Sequence, residues 1–475
     1  MPLSSAGGSH PSYDGNGNAD SSKAFGGGAR ALATPEMIRP SPGNPARQSE
    51  PNTAMFTLLA TIVGGGVLSL PYAIMKTGLV TGLLLLAVAA VAGDFSLYML
   101  CSCSRRTGTI TYVQVARAAF GNTGGVFTTA VLLIITIFVA IGYMVLIRDI
   151  WAGLVSLVIG EHLAKAQSNQ VLFAALVMVF PATLATDLHA LRHFCYVGFF
   201  SAIVLTISIA YRSVEASQLN PKASQALKLS ADSWGDIMEA FPILSLAFMA
   251  HFNILSVHSQ FVNPTRERLK GLLHGTMGLT AALYVTLGLS GYLYAFDGTQ
   301  DDILLNFSPG DKVMVLGRVG MGITMLVAVT MLVVPMREIF LEAVAAAGTT
   351  VQEWFGRREY LPVDGTPRTP GRTPARALNL CFQGVRHVAV TLSIIGFLLY
   401  CALAVPGVGV VWSICGSSVG FMIAYLLPAV FYLKIRSHKA FNVRKVASSS
   451  LHEMTHGGAK FNCSRRPPSS NDCKL

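Results

Sequence analysis

Charge is what this 475-residue chain has least of. Asp, Glu, Lys and Arg together make up 12% of it, against 52% hydrophobic residues, where an average soluble domain carries roughly 25% charged residues. That scarcity excludes a soluble globular protein and points to an integral membrane protein. A basic helix interleaved with aromatics is missing too. The formal net charge is +11, but its Lys and Arg are scattered through short loops and both tails, so no nucleic-acid partner is expected. The first fifty residues have no apolar core segment of the ~7–15 residues a cleavable signal peptide needs. Rich in Gly, Ser, Pro and Asn, they predict a disordered cytosolic tail over 1–51, with the first span serving as the membrane signal. The eight cysteines avoid every loop placed outside by the topology below, so no structural disulfide is expected.

Long uncharged apolar runs are plentiful. Runs of about 20 residues suited to crossing a bilayer fall near 54–75, 79–103, 124–147, 168–186, 193–211, 238–258, 271–296, 313–335, 387–405 and 408–433. This gives an all-α membrane protein with ten predicted transmembrane helices over 52–436. With both tails on one side, that side receives 27 Lys and Arg and the other receives seven. Basic residues concentrate on cytosolic loops, so both termini are expected in the cytosol. The sequon Asn306-Phe307-Ser308 then lies outside, with Pro309 directly after it. A flexible cytosolic loop is expected over 348–385. Its Thr-Pro pairs at Thr366, Thr369 and Thr373 read as a linker or as phosphorylation sites. A second cytosolic tail is expected over 437–475.

The first span is interrupted. Its stretch TIVGGGVLSLPYA places Gly64, Gly65, Gly66 and then Pro71 at membrane depth, and glycine and proline are the two poorest helix formers. Irregular backbone is tolerated there only where protein buries it or where it lines a watery cavity. A small-residue helix-packing face is the plainer alternative. The sixth span weighs against that alternative, because it has its own proline, Pro242, followed by His251, Asn253 and Ser256 near its middle. In a five-plus-five inverted repeat the first and sixth spans correspond, and two broken helices at matched positions mark a substrate site.

Several motifs occur in order: TIVGGGVLSLPYA followed by Thr77-Gly78, AHFNILSVHSQFVNPTRERLKG across the sixth span, YLYAFDGTQDDILLNF after the seventh, and Arg318 with VPMR ending the eighth. Together they resemble the amino acid/auxin permease family, in the branch of vacuolar and sodium-coupled neutral amino acid transporters. The resemblance spans roughly 52–436. It implies a leucine-transporter-type fold of two inverted repeats and cation-coupled movement of amino acids. Two departures stand out: the eleventh span usual in the family is not expected in the polar stretch after 436, and Thr57, Leu58, Leu59 and Ala60 stand where sodium-coupled relatives carry an asparagine. Losing that amide favours a proton over sodium as coupling ion. No other cofactor and no metal are expected.

On this reading the substrate carboxylate meets the NH groups of Gly64, Gly65, Gly66 and Val67. Carbonyls around Ile62, Val63, Phe248 and Met249 take the ammonium group or a cation. Phe248 and Phe252 close over the substrate, and Asn253 borders it. With no carboxylate pocket for a cationic side chain, neutral amino acids are favoured. Ionisable residues at membrane depth are functional candidates by default. His251 is the natural proton carrier, or else a neutral, hydrogen-bonded pocket residue. Asp94 is a second coupling candidate or a helix tether. Arg318 is a partner for an acidic group or for backbone carbonyls, or else a contact for the substrate carboxylate.

Two rival readings exist. His452 to His456 reads HEMTH, a zinc-protease pattern. Only 19 residues follow it, too few to build a cleft, although His438 or Cys463 could complete an adventitious metal site. HALRH, from His189 to His193, is a loop coincidence. The second rival is an amino-acid-sensing receptor that binds without transporting. The expected location is a vacuolar, lysosomal-type or plasma membrane. The individual amino acid, the direction of flux and the oligomeric state stay open.

Overall fold

The computed structural model describes residues 47–160, 167–184, 194–219, 227–354 and 374–436. Most of the two expected tails, the Thr-Pro pairs, HALRH and HEMTH lie outside the described residues. Thirteen α-helices are described: α1 Pro51–Ile62, α2 Leu70–Thr77, α3 Leu79–Thr107, α4 Tyr112–Ile159, α5 Ser168–Thr183, α6 Phe194–Leu219, α7 Trp234–Ala247, α8 Ile254–Gln260, α9 Arg266–Ala295, α10 Lys312–Trp354, α11 Pro374–Ala404, α12 Val408–Cys415 and α13 Leu427–Ile435. Among the described residues the only β pairing is an isolated bridge between Ser49 and Phe261.

The helix ends follow from local chemistry. Pro51 opens α1 in the first-turn position where its missing N–H costs nothing. Gly78 separates α2 from α3 at φ +77°, and a Cβ there would lie 2.6 Å from the Ser230 backbone nitrogen, so only glycine fits. Gly108 ends α3 in the left-handed region and donates to the Ser104 carbonyl, with Arg105 and Arg106 in the last turn. Gly121, at φ +70°, kinks α4. Ser233 and Asp236 form a reciprocal cap at the start of α7.

Among the described residues seven helices are long and apolar enough to cross a membrane, the last running over Val408–Ile435, and the bent pair α1–α2, turned by 57°, makes an eighth. The other two expected spans appear as shorter pieces: α5 has 16 residues, and the sixth run is divided into α7 and α8. Exposed apolar side chains follow helical spacing. On α3, Val80, Leu84, Val88, Val91 and Phe95 form one stripe, each 46–70% exposed. In water such a stripe would drive aggregation; in lipid it is the expected outer face.

Inside, α2 packs against α7 and α9, α12 packs against α7, α10 packs against both α4 and α6, and α9 packs against α6 and against both halves of the broken pair. At one end, the segment entering α1 pairs with the segment leaving α8: Ser49 N–H donates to the Gln260 carbonyl and Val262 N–H to the Ser49 carbonyl, both at 3.0 Å. Buried Arg47 donates to the carbonyls of His258 and Phe261. At the opposite end, Tyr72 of α2 donates to Glu239 of α7 at 2.8 Å, and Lys76 lies 3.3 Å from the same carboxylate. The two broken spans are therefore joined to each other at both ends.

Candidate functional site

The break between α1 and α2 begins at Val63, where ψ is 92°, and continues through Gly64 in extended conformation (φ −129°, ψ −157°). A 3-10 turn over Gly65–Ser69 follows. Val67 N–H donates to the Gly64 carbonyl at 3.2 Å. The amides of Gly64, Gly65 and Gly66 precede that bond and, among the described residues, have no backbone acceptor, as at a helix start.

Surrounding side chains explain why glycine stands there. A Cβ on Gly65 would lie 2.7 Å from Leu146, 2.9 Å from the Tyr143 ring and 3.0 Å from the Met325 sulfur. On Gly64 it would meet the Tyr143 hydroxyl at 3.0 Å, whereas on Gly66 it would meet nothing within 4 Å. The first two glycines admit neighbours of α4 and α10, and the third faces open space. Tyr143 in turn packs edge-on against Trp412 of α12, whose indole fills the notch left by Gly142.

The second break, Phe248–Asn253, has no glycine. Its chain turns through bonds from Phe248 N–H to the Ser245 carbonyl, Met249 N–H to the Leu246 carbonyl and Asn253 N–H to the Ala250 carbonyl. Phe248, Met249 and His251 are buried. Tyr284 of α9, fully buried, connects the two breaks. Its hydroxyl lies 3.1 Å from the Ile62 carbonyl and 2.9 Å from the Ala247 carbonyl, the acceptors freed where α1 and α7 stop. Its ring packs on Phe248 at 5.1 Å.

Sequence reasoning named Ile62 to Val67, Phe248 and Met249; of these, the structure brings Ile62 and Phe248 to Tyr284, and Gly64 and Gly65 to Tyr143. It named neither tyrosine. Each is an ordinary aromatic in an apolar span, and only the partner carbonyls and glycines reveal it. Phe252 is 48% exposed, whereas Phe248 is buried. Asn253 is half-buried and its N–H closes the second turn.

The ionisable candidates separate. His251 Nε2 lies 3.1 Å from the Ser96 hydroxyl of α3, and Ser96 itself donates to the Ala424 carbonyl. That carbonyl is available because Pro428, four residues on, has no N–H to give it. Around it the helix widens into π turns over Gly416–Gly420 and Met422–Leu426, and the neighbouring Ile423 carbonyl accepts from Tyr112 at 2.8 Å. Asp94 points elsewhere and pairs with His274 of α9 at 2.8 Å. Arg318 takes the carbonyl role among its expected alternatives, donating to Leu304, Phe307 and Ser308 at 2.7–2.9 Å. In sequence VPMR, Arg337 is buried and bonds the Thr183 carbonyl and the Thr391 hydroxyl, tying α10 to α5 and α11.

The family model described as transmembrane amino acid transporter protein matches residues 47–457. The chain belongs to this family. Among relatives of this transporter family member, a Bos taurus protein provisionally named sodium-coupled neutral amino acid transporter 11 is 22% identical over 86% of the chain and 80% of its own length. Vacuolar amino acid transporter 7 of Saccharomyces cerevisiae is 24% identical over 59% of the chain and 56% of its own length. Human solute carrier family 38 member 10 is 22% identical over 80% of the chain. The chain spans 56% of the yeast relative and 32% of the human one.

Proposed function

We propose that this protein is a secondary active transporter of neutral amino acids, with a proton favoured over sodium as the coupling ion. The observation that carries the reading is the pair of broken spans facing each other at membrane depth, with free glycine amides on one side and carbonyls on the other. Helix starts present N–H groups that suit an anionic carboxylate, and broken helices of this kind form the sites of secondary transporters. The α-carboxylate sits at Gly64 to Val67. The ammonium group meets carbonyls at the two helix ends, where Tyr284 already holds Ile62 and Ala247. The ten spans form two inverted repeats with both termini in the cytosol, so Arg47 lies at the inner end and the 296–311 loop at the outer one.

Proton coupling draws support from the first span. The hydroxyls of Thr57 and Thr61, which stand near the missing asparagine, bond back to the carbonyls of Thr53 and Thr57 in their own helix. Their hydroxyl protons are spent within the helix, and neither side chain supplies the amide oxygen that an asparagine would offer sodium. His251 at the second break is the group placed to carry the proton at membrane depth. The relatives' names, one sodium-coupled and one vacuolar, agree on amino acid transport and divide on coupling and membrane.

The test is uptake of radiolabelled amino acids by proteoliposomes holding the purified protein, under a proton gradient, a sodium gradient or neither. Accumulation above the no-gradient control under the proton gradient supports the reading. Saturable binding with no uptake under any gradient replaces it with a sensing receptor.

A further inference from the structure

The loop between α9 and α10 is docked with unusual economy of partners. Arg318, 3% exposed, holds three of its carbonyls. Asp301 accepts from the Asp302 N–H and, across the molecule, from the Gly409 N–H at the start of α12. Gly407 and Gly409 make room for it, since a Cβ on either would lie within 3 Å of the Asp301 side chain. The short turn Ile303–Asn306 touches the 3-10 turn Gly65–Ser69, and Ile303 reaches into the notch that Gly291 leaves beside Pro71. This loop is the cover of the substrate break, a statement that rests on the site proposed above.

At its centre Asp302 is fully buried. One carboxyl oxygen caps the Leu304 N–H at 2.9 Å, and the other has no partner among the described residues. The charged groups around it come from three elements: Asp149 of α4, itself bonded to Arg148, then Asp301 in the loop, then Arg318 of α10. The 3-10 turn below and α12 beside it carry no charged residue. Among the described residues Arg318 is the one cation that acts on Asp302, and two of its nitrogens are spent on carbonyls. A cavity of about 350 Å³, lined by Asp149, Ser156, Ser168, Asn306 and Arg318 among others, runs alongside and gives water a route to the carboxyl group's neighbour.

We propose that Asp302 is a proton-operated latch: the loop sits over the substrate break with this carboxyl protonated, and its ionisation releases the loop. An ionised carboxylate here would be a buried charge with an empty acceptor beside two other carboxylates. Protonated, it keeps its cap to Leu304 through one oxygen and loses the repulsion. Burial, followed by the charge of Asp149, pushes its pKa up to about 8 from an ordinary value of 3.8. The docked form therefore binds the proton more tightly than the released form, so docking is strongest at low pH and weakens as pH rises. Between about 4 and about 8 the docked-to-released ratio falls by up to tenfold per pH unit, then levels off.

Amide hydrogen exchange over 299–309 in the full-length protein in lipid nanodiscs, corrected for intrinsic exchange rates, reads the latch without using transport. Wild-type protection is expected to fall by up to a thousandfold from pH 5 to 8. Asp302→Asn, which keeps the cap and cannot ionise, holds its protection across that range. Asp149→Asn, which removes a neighbouring charge, moves the end of the decline to lower pH. Flat wild-type protection overturns the proposal. So does a decline in Asp302→Asn that matches wild type, or protection lost in that variant at every pH, which would make the side chain a fixed cap only. Absence of uptake by the wild type would count against transport and leave these outcomes unaffected.

Discussion

The two breaks solve the same backbone problem in opposite ways. The first is opened by glycine: Gly64 and Gly65 let α4 and α10 approach, and Gly66 leaves space. The second is filled by side chains. Phe248 and His251 are buried within it, and its amides fold back on carbonyls three residues earlier. The first break therefore offers donors and room, and the second offers a wall stapled to the scaffold by Tyr284 and by the chain His251–Ser96–Ala424. In a mechanism of alternating access, such a division lets one broken span bind while the other transmits movement.

The comparison breaks most sharply at Gly65. Gly65→Val forces branched carbons into space held by Leu146, Tyr143 and Met325, an overpacking that costs about 1–3 kcal/mol or more. Uptake should disappear while surface labelling and gel filtration show normal insertion; normal uptake would remove the site from this break. Tyr284→Phe comes next. It removes the single O–H shared between two buried carbonyls, at a cost of about 1–3 kcal/mol, and uncouples the breaks, so uptake should drop roughly tenfold with a lower melting temperature. Retention of both would mean that the bridge is incidental. The smallest effect is expected for His251→Ala. Uptake should fall several-fold with a flatter pH profile, since Ser96 keeps its bond to Ala424. An unchanged rate at every pH would make the second break a wall with no part in coupling.

The all-helical, apolar character was legible because apolar runs are unambiguous, but among the described residues seven helices and one bent pair are long enough to span where ten runs were expected, and helix ends were not legible. The run 124–147 extends in the structure to Tyr112–Ile159, since Arg117 near one end and Arg148 and Asp149 near the other continue the helix outside the apolar layer that the scan detects. The bend in the first span was legible from three glycines and a proline. The π turns after α12 were not, because their cause is distributed between Pro428 and hydroxyl partners on α3 and α4. Among site residues, glycine at a break announces itself, whereas Tyr143 and Tyr284 look like any aromatic in a span. Asp94 was visible as a charge, but its partner His274 was visible only once α3 and α9 were packed together.

The central claim is that substrate lies against the first break, where Gly66 faces open space. In a variant whose native cysteines are replaced, Gly66→Cys should react with a small thiol reagent, and neutral amino acids should slow that reaction in proportion to their ability to inhibit uptake. Equal reaction rates with and without amino acids, in protein that still transports them, would place the substrate elsewhere and contradict the account.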